Sequence, residues 1–161
     1  MAATGGNAAL RKAWLEGDWN IVAGAFFDNW GPQHVIPVWR PPSEWTRFRS
    51  MDWGSARPFS VGWWAVADDD HWQSFKDGSE RLIKRGAIVR YREWYGCAST
   101  PNQGLKLTAE QVARGILERE TEKLRYAVLD PSTFKEDGGP SIAERLNATL
   151  MAGKARPFHM A

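Results

Sequence analysis

A single cysteine, Cys97, in 161 residues leaves no partner for an internal disulfide, and a reducing, intracellular setting fits that count. No apolar run approaches the roughly 18 residues that a membrane span requires. The start, MAATGGNAALRKAW, lacks the long apolar stretch behind a basic segment that marks an export signal. The three histidines, His34, His71 and His159, are too scattered for metal-ligand spacing. Walker A phosphate loop, GxSxG elbow and paired CxxC are all missing, which argues against an ATPase or a serine hydrolase contained wholly in this chain. There is no internal repeat and no low-complexity tract. The net charge of only +2 permits nucleic-acid binding without arguing for it.

What the chain has in excess is tryptophan, ten in all. Trp19, Trp30, Trp39, Trp45, Trp53, Trp72 and Trp94 lie in loops or beside charges, where an indole can stack on a base; core or interface filling is the commoner use of so large a ring. A short helix is expected over residues 7–16, capped by Asn7 and stopped by Gly17. From Asp18 to Trp45 the pattern is broken by Gly24, Gly31, Pro32, Pro37, Pro41 and Pro42 and reads as an extended connection. The compact domain is expected from about residue 46.

Strands are expected over 46–53, 58–67 and 86–95, with Asp68, Asp69 and Asp70 in the turn after the second. The polar stretch 71–85 carries no clear periodicity. Thr108 and Gln111 form a capping box with Leu107 and Val112 as hydrophobic staple, so a helix follows, and a second box at Ser141 and Glu144 opens another that runs to about Ala152. A short strand over 124–129 separates them, and 156–160 begins one more. Strands, then helix, strand, helix and strand, is the layout of an α/β domain whose mixed sheet is covered on both faces.

The chemistry concentrates at two strand ends. Asp52, in RFRSMDWGSARPFSVGWW, stands near the end of an apolar strand, where a carboxylate is costly unless paired, hydrogen-bonded or bound to a cation. Its plain alternative is a cap for the turn at Gly54 and Ser55. Asp130, in YAVLDPSTF, repeats the arrangement, with an ordinary Asp-Pro turn as its alternative. If the Thr108 helix is the crossover, the two strands run side by side and parallel, about 4.8 Å apart, and both carboxylates meet at one edge of the sheet. So close a pair needs a divalent cation to offset its repulsion, and oxygen ligands suit magnesium or manganese. Glu93 is a secondary metal candidate, because it shares parity with Val89, Tyr91 and Tyr95 while Arg90, Arg92 and Trp94 take the opposite parity; its alternative is an exposed pair with an arginine. Arg47, Arg49, Arg57, Arg90 and Arg92, with Lys84 and Arg85, are candidates for a DNA backbone path, or for a solvated face.

Taken in succession, LEGDWNIVAGAFFDNW, HVIP, the Pro-rich segment and RSMDWGSARPFSVGWWAV resemble the junction between the ATPase and nuclease domains of phage large terminase subunits. REWYG, TAEQVARGI, YAVLDP and GGPSIAERL follow in the family's order. The resemblance implies that residues 1–45 are the tail of an ATPase domain and a linker. Residues 46–161 would then be the N-terminal part of a ribonuclease-H-like nuclease domain, a mixed sheet flanked by helices, that cuts concatemeric DNA during genome packaging. Asp52 matches the family's first metal-binding aspartate and Asp130 falls where the second acidic ligand occurs, for two Mg²⁺ or Mn²⁺ ions; Glu93 matches no motif position. Double-stranded DNA, a terminase small subunit and a portal in the host cytoplasm are the implied partners, with no membrane. The third carboxylate of the family would lie beyond Ala161, which implies a fragment, from a defective prophage gene or a partial product, with weak or no cleavage of its own. A noncatalytic DNA- or partner-binding remnant, and a resolvase or transposase core, are the competing expectations.

Overall fold

The computed structural model describes residues 31–136 and 138–161. Contacts divide the chain into two units, residues 1–37 and Val38–Ala161. Of the first, the description covers a single 3₁₀ turn at Pro32–His34 and its flanks. The helix expected over 7–16 lies outside the described residues, as do Trp19 and Trp30. The second unit starts at Val38, ahead of the domain start expected at about residue 46. Trp39 and Trp45 meet edge-on at 5.5 Å, and Trp39 stacks on His71 at 5.9 Å, so this part of the Pro-rich stretch is packed on the domain.

Among the described residues, seven strands and two α-helices make up the second unit. The strands are β1 (Thr46–Asp52), β2 (Ser60–Val66), β3 (His71–Ser74), β4 (Glu80–Ile83), β5 (Ile88–Tyr95), β6 (Tyr126–Leu129) and β7 (His159–Met160). The helices are α1 (Ala109–Arg119) and α2 (Ile142–Ala152). Five strands form one mixed sheet in the order β5-β2-β1-β6-β7: β2 is antiparallel to β1 and β5, while β6 is parallel to β1 and β7. α1 is the crossover that carries the chain from edge strand β5 to β6. Both capping boxes form, the Thr108 and Ser141 hydroxyls accepting from the Gln111 and Glu144 backbone N–H groups while those two side chains accept from the cap N–H.

The core lies on one side of the sheet. Met51, Val61, Trp63, Ala127 and Leu129 present their alternate-residue face to Val112, Ala113 and Ile116 of α1 and Leu146 and Leu150 of α2. A Cβ at Gly115 would fall 2.2 Å from the Trp94 ring, so α1 approaches β5 only because that position lacks a side chain. Among the described residues no helix packs on the opposite face. There Phe48 stacks between Trp64 at 6.1 Å and Tyr126 at 4.9 Å, and Tyr126 remains 37% exposed.

The stretch 71–85 is a hairpin, β3 paired with β4, rather than irregular chain. Its turn uses Gly78 at φ +82 and the Asp77 carboxylate, which accepts from the Ser79 backbone N–H and hydroxyl. β5 also departs from regular parity. Arg92 pairs with Trp63 and Arg90 with Trp64, so Tyr91 is an extra residue at a bulge.

Candidate metal centre

β1 and β6 are in parallel register from Phe48↔Tyr126 to Met51↔Leu129, so the next residue on each strand is an aspartate. Asp52 ends β1 and Asp130 follows the end of β6. Both have the strand parity of the stacked Phe48–Tyr126 pair, on the face away from the helices. Both are exposed, so neither carries the full desolvation cost of a buried charge.

Their surroundings differ. Asp52 makes no hydrogen bond or ion pair among the described residues, so the turn-capping alternative at Gly54 and Ser55 is not realised. Asp130 does act as a cap: Oδ1 accepts from the Ser132 backbone N–H at 2.8 Å and from the Ser132 hydroxyl, and Pro131 opens the 3₁₀ turn Pro131–Phe134. The Ser132 hydroxyl and then its N–H hold the Asp130 carboxyl below its ordinary value, with Lys135 adding a smaller pull. Both donors fall on Oδ1. Behind Asp52, the loop 54–58 is tied to 96–106 by Gly104 N–H to Ala56 O at 2.9 Å and Lys106 N–H to Ser55 O at 3.2 Å, which anchors this end of the sheet.

Glu93 does not join the pair. The bulge at Tyr91 puts Glu93 opposite Gly62 on the open face, not with Val89 and Tyr91, and its carboxylate accepts from Arg90 at 3.0 Å. Gly62 in turn faces Ser50, two residues before Asp52, so Glu93 is two strands across and one row away. Among the described residues no three histidine, cysteine or acidic side chains gather into a group able to hold a metal ion.

The five candidate arginines separate sharply. Arg49 is fully buried, its guanidinium bonded to Glu120 and to the Arg156 carbonyl at 2.7 Å and lying over the Phe158 ring at 4.3 Å. It cannot reach a DNA backbone, and that expectation is corrected. The physical reason is that Arg49 lies on the inward parity of β1, where its partner Glu120 comes from the end of a helix 71 residues on. Trp63 Nε1–H donates to the same Glu120 carboxylate at 3.0 Å. Arg57 is exposed in the loop after Asp52, and Arg90 is exposed on the open face. Arg47 and Arg92 take the inward parity, opposite Ala65 and Trp63 of β2, and are already engaged, Arg47 donating to the Pro41 and Pro42 carbonyls and Arg92 gripping Glu122 through two bonds of 2.8 Å. Sequence reasoning missed Glu120 and Glu122. Only the acidic residues of the segment after α1 hinted at them. Cys97 and the two histidines of this unit, His71 and His159, take no part in the centre.

The fold is α/β, a five-stranded mixed sheet flanked by helices. It is shared with solved phage large terminase chains. The large terminase of a thermophilic bacteriophage matches in two crystal forms, with TM-scores of 0.53 and 0.50 at 18% and 19% identity. Each alignment covers 84% of this chain, which spans 28% and 27% of those chains. The P22 large terminase nuclease domain matches at a TM-score of 0.43 and 14% identity, over 77% of this chain and 53% of that one. No family model matches the sequence, and no curated protein matches it.

Proposed function

We propose that this chain carries part of a metal-dependent DNA endonuclease centre of the large-terminase kind, in which Asp52 and Asp130 are the metal ligands. The observation that supports it is the register of β1 on β6, which sets the two aspartates side by side at the end of the sheet. The donor set fits a hard divalent cation: carboxylate oxygens, exposed, with Asp130 favoured in its ionised form and its Oδ2 outside the Ser132 cap. Asp52, uncommitted on both oxygens among the described residues, and Asp130 would together hold the cations. Divalent cations held there would supply an acidified water and charge stabilisation for a phosphodiester's leaving oxygen. Arg57, in the loop after Asp52, and Arg90, on the same face of the sheet, are exposed arginines that would meet a DNA backbone near the pair.

On this reading the substrate is double-stranded DNA, cut during genome packaging in the host cytoplasm, with a small subunit and a portal as partners of the whole assembly. Among the described residues no helix is long and apolar enough to cross a membrane. Supercoiled plasmid incubated with the chain and manganese is expected to be nicked slowly, and Asp52→Asn should cut the rate by at least about 100-fold, since even residues that merely orient metal ligands cost about 10- to 100-fold. Nicking that needs no metal, or survives that substitution, contradicts the proposal. A second reading, a noncatalytic DNA- or partner-binding module, is favoured by one observation, that among the described residues no third histidine, cysteine or acidic side chain joins the two aspartates. Complete absence of nicking together with DNA retention would select it. A resolvase or transposase core shares the carboxylate arrangement, and cleavage confined to branched or transposon-end DNA would favour that instead.

A further inference from the structure

A second site lies at the opposite end of the sheet. Arg47 is five residues before Asp52 on β1, about 17 Å away at the usual strand rise. It lines a cavity of about 570 Å³ together with Arg40, Lys76, Tyr91, Arg92 and Glu122. Arg92 and Glu122 neutralise one another through their paired bonds. Arg40, Arg47 and Lys76 form no ion pair among the described residues, so the cavity wall carries an excess of three positive charges.

Two of its groups are donors without acceptors. Among the described residues three buried side-chain polar atoms lack a protein hydrogen-bond partner: Arg49 Nε, Arg47 Nε and the Tyr91 hydroxyl. The last two belong to residues of this wall. Their chains are held in place, Arg47 by the Pro41 and Pro42 carbonyls and by stacking over the Tyr91 ring at 5.6 Å. Burial, with Glu122 nearby, pushes the Tyr91 hydroxyl up to about 12, so it keeps its proton. A buried donor without an acceptor is destabilising, and an excess of fixed positive charge beside two such donors complements an oxyanion. Trp39 and Phe75 add aromatic wall, which suits an anion attached to a flat apolar body.

We propose that this cavity binds a phosphate group, carried by a free nucleotide or by the nucleic-acid backbone, with Arg47 and Tyr91 as inner donors and Arg40 and Lys76 at its mouth. The proposal stands apart from the nuclease reading, since none of its residues touches the aspartate pair.

The test follows the Arg47 Nε–H and Tyr91 backbone resonances of the full chain by ¹H–¹⁵N NMR at fixed ionic strength. Inorganic phosphate, a deoxynucleoside 5′-monophosphate and a short DNA duplex are titrated in separate arms. Saturable shifts with either small ligand assign a free phosphate ligand, and saturable shifts with the duplex alone assign the backbone. In either case the double variant Arg40→Ala/Lys76→Ala, changed only at exposed positions, should bind at least tenfold more weakly, and so should Tyr91→Phe. Asp52→Asn should bind as the parent does. No saturable shift in any arm overturns the proposal, as does unchanged affinity in the double variant.

Discussion

Two carboxylates that reach the same strand end have been given different freedoms. Among the described residues the Asp52 side chain is unengaged, whereas Asp130 spends Oδ1 on Ser132. Because the Ser132 hydroxyl is the first cause of the lowered Asp130 value, Ser132→Ala should raise the Asp130 pKa toward the ordinary aspartate range, followed by carboxyl ¹³C shifts against pH. An unmoved midpoint would contradict the capping geometry. The linkage has a definite sign. A carboxyl held below its unfolded value favours the folded state above the unfolded pKa, and that contribution is lost as pH falls through the folded one, so Ser132→Ala, which brings the two values together, diminishes the contribution. Asp52 was legible in the sequence as an acid in an apolar frame, because that conflict is local. Arg49 was not, since nothing near it in the chain distinguishes a buried arginine from an exposed one.

Among the elements, the capped helices are the part best read from sequence, because a capping box spans four residues and needs no distant partner. Removing the Thr108 hydroxyl by Thr108→Ala should cost about 1 kcal/mol, measured by urea unfolding. α1 and α2 are further joined by Arg145, which donates to both oxygens of Glu110 at 2.8 and 2.9 Å. That bond, then the Glu110 backbone and the Thr108 side chain, lowers the Glu110 value to about 2. Arg145→Ala should return it toward the ordinary glutamate range. A titration midpoint still near 2 in that variant would place the cause elsewhere. What escaped the sequence was the β3–β4 hairpin, whose four-residue strands are too short for alternation to stand out, and the bulge at Tyr91. One extra residue there reversed the facing of Glu93, which is how a regular-strand argument misplaced it.

At the scale of the whole molecule, the contacts that fix the fold join distant segments. Glu120 closes the end of α1 onto Arg49 of β1 and Trp63 of β2, both in the sheet. Glu120→Ala leaves a buried guanidinium uncompensated and should cost about 3–5 kcal/mol in unfolding free energy, while replacing Arg49 and Glu120 together by Met and Leu should cost far less. Equal losses in the single and double variants would show that the uncompensated guanidinium is not the source of the loss. The meeting of Asp52 and Asp130 was legible because a crossover helix leaves few topologies open. The cationic cavity depends on packing that no local pattern encodes. The direct test of the paired aspartates is calorimetric titration of manganese into the chain and into Asp52→Asn and Asp130→Asn. Saturable binding in the parent, lost in both variants, is the predicted result; binding that persists undiminished in either variant would contradict it.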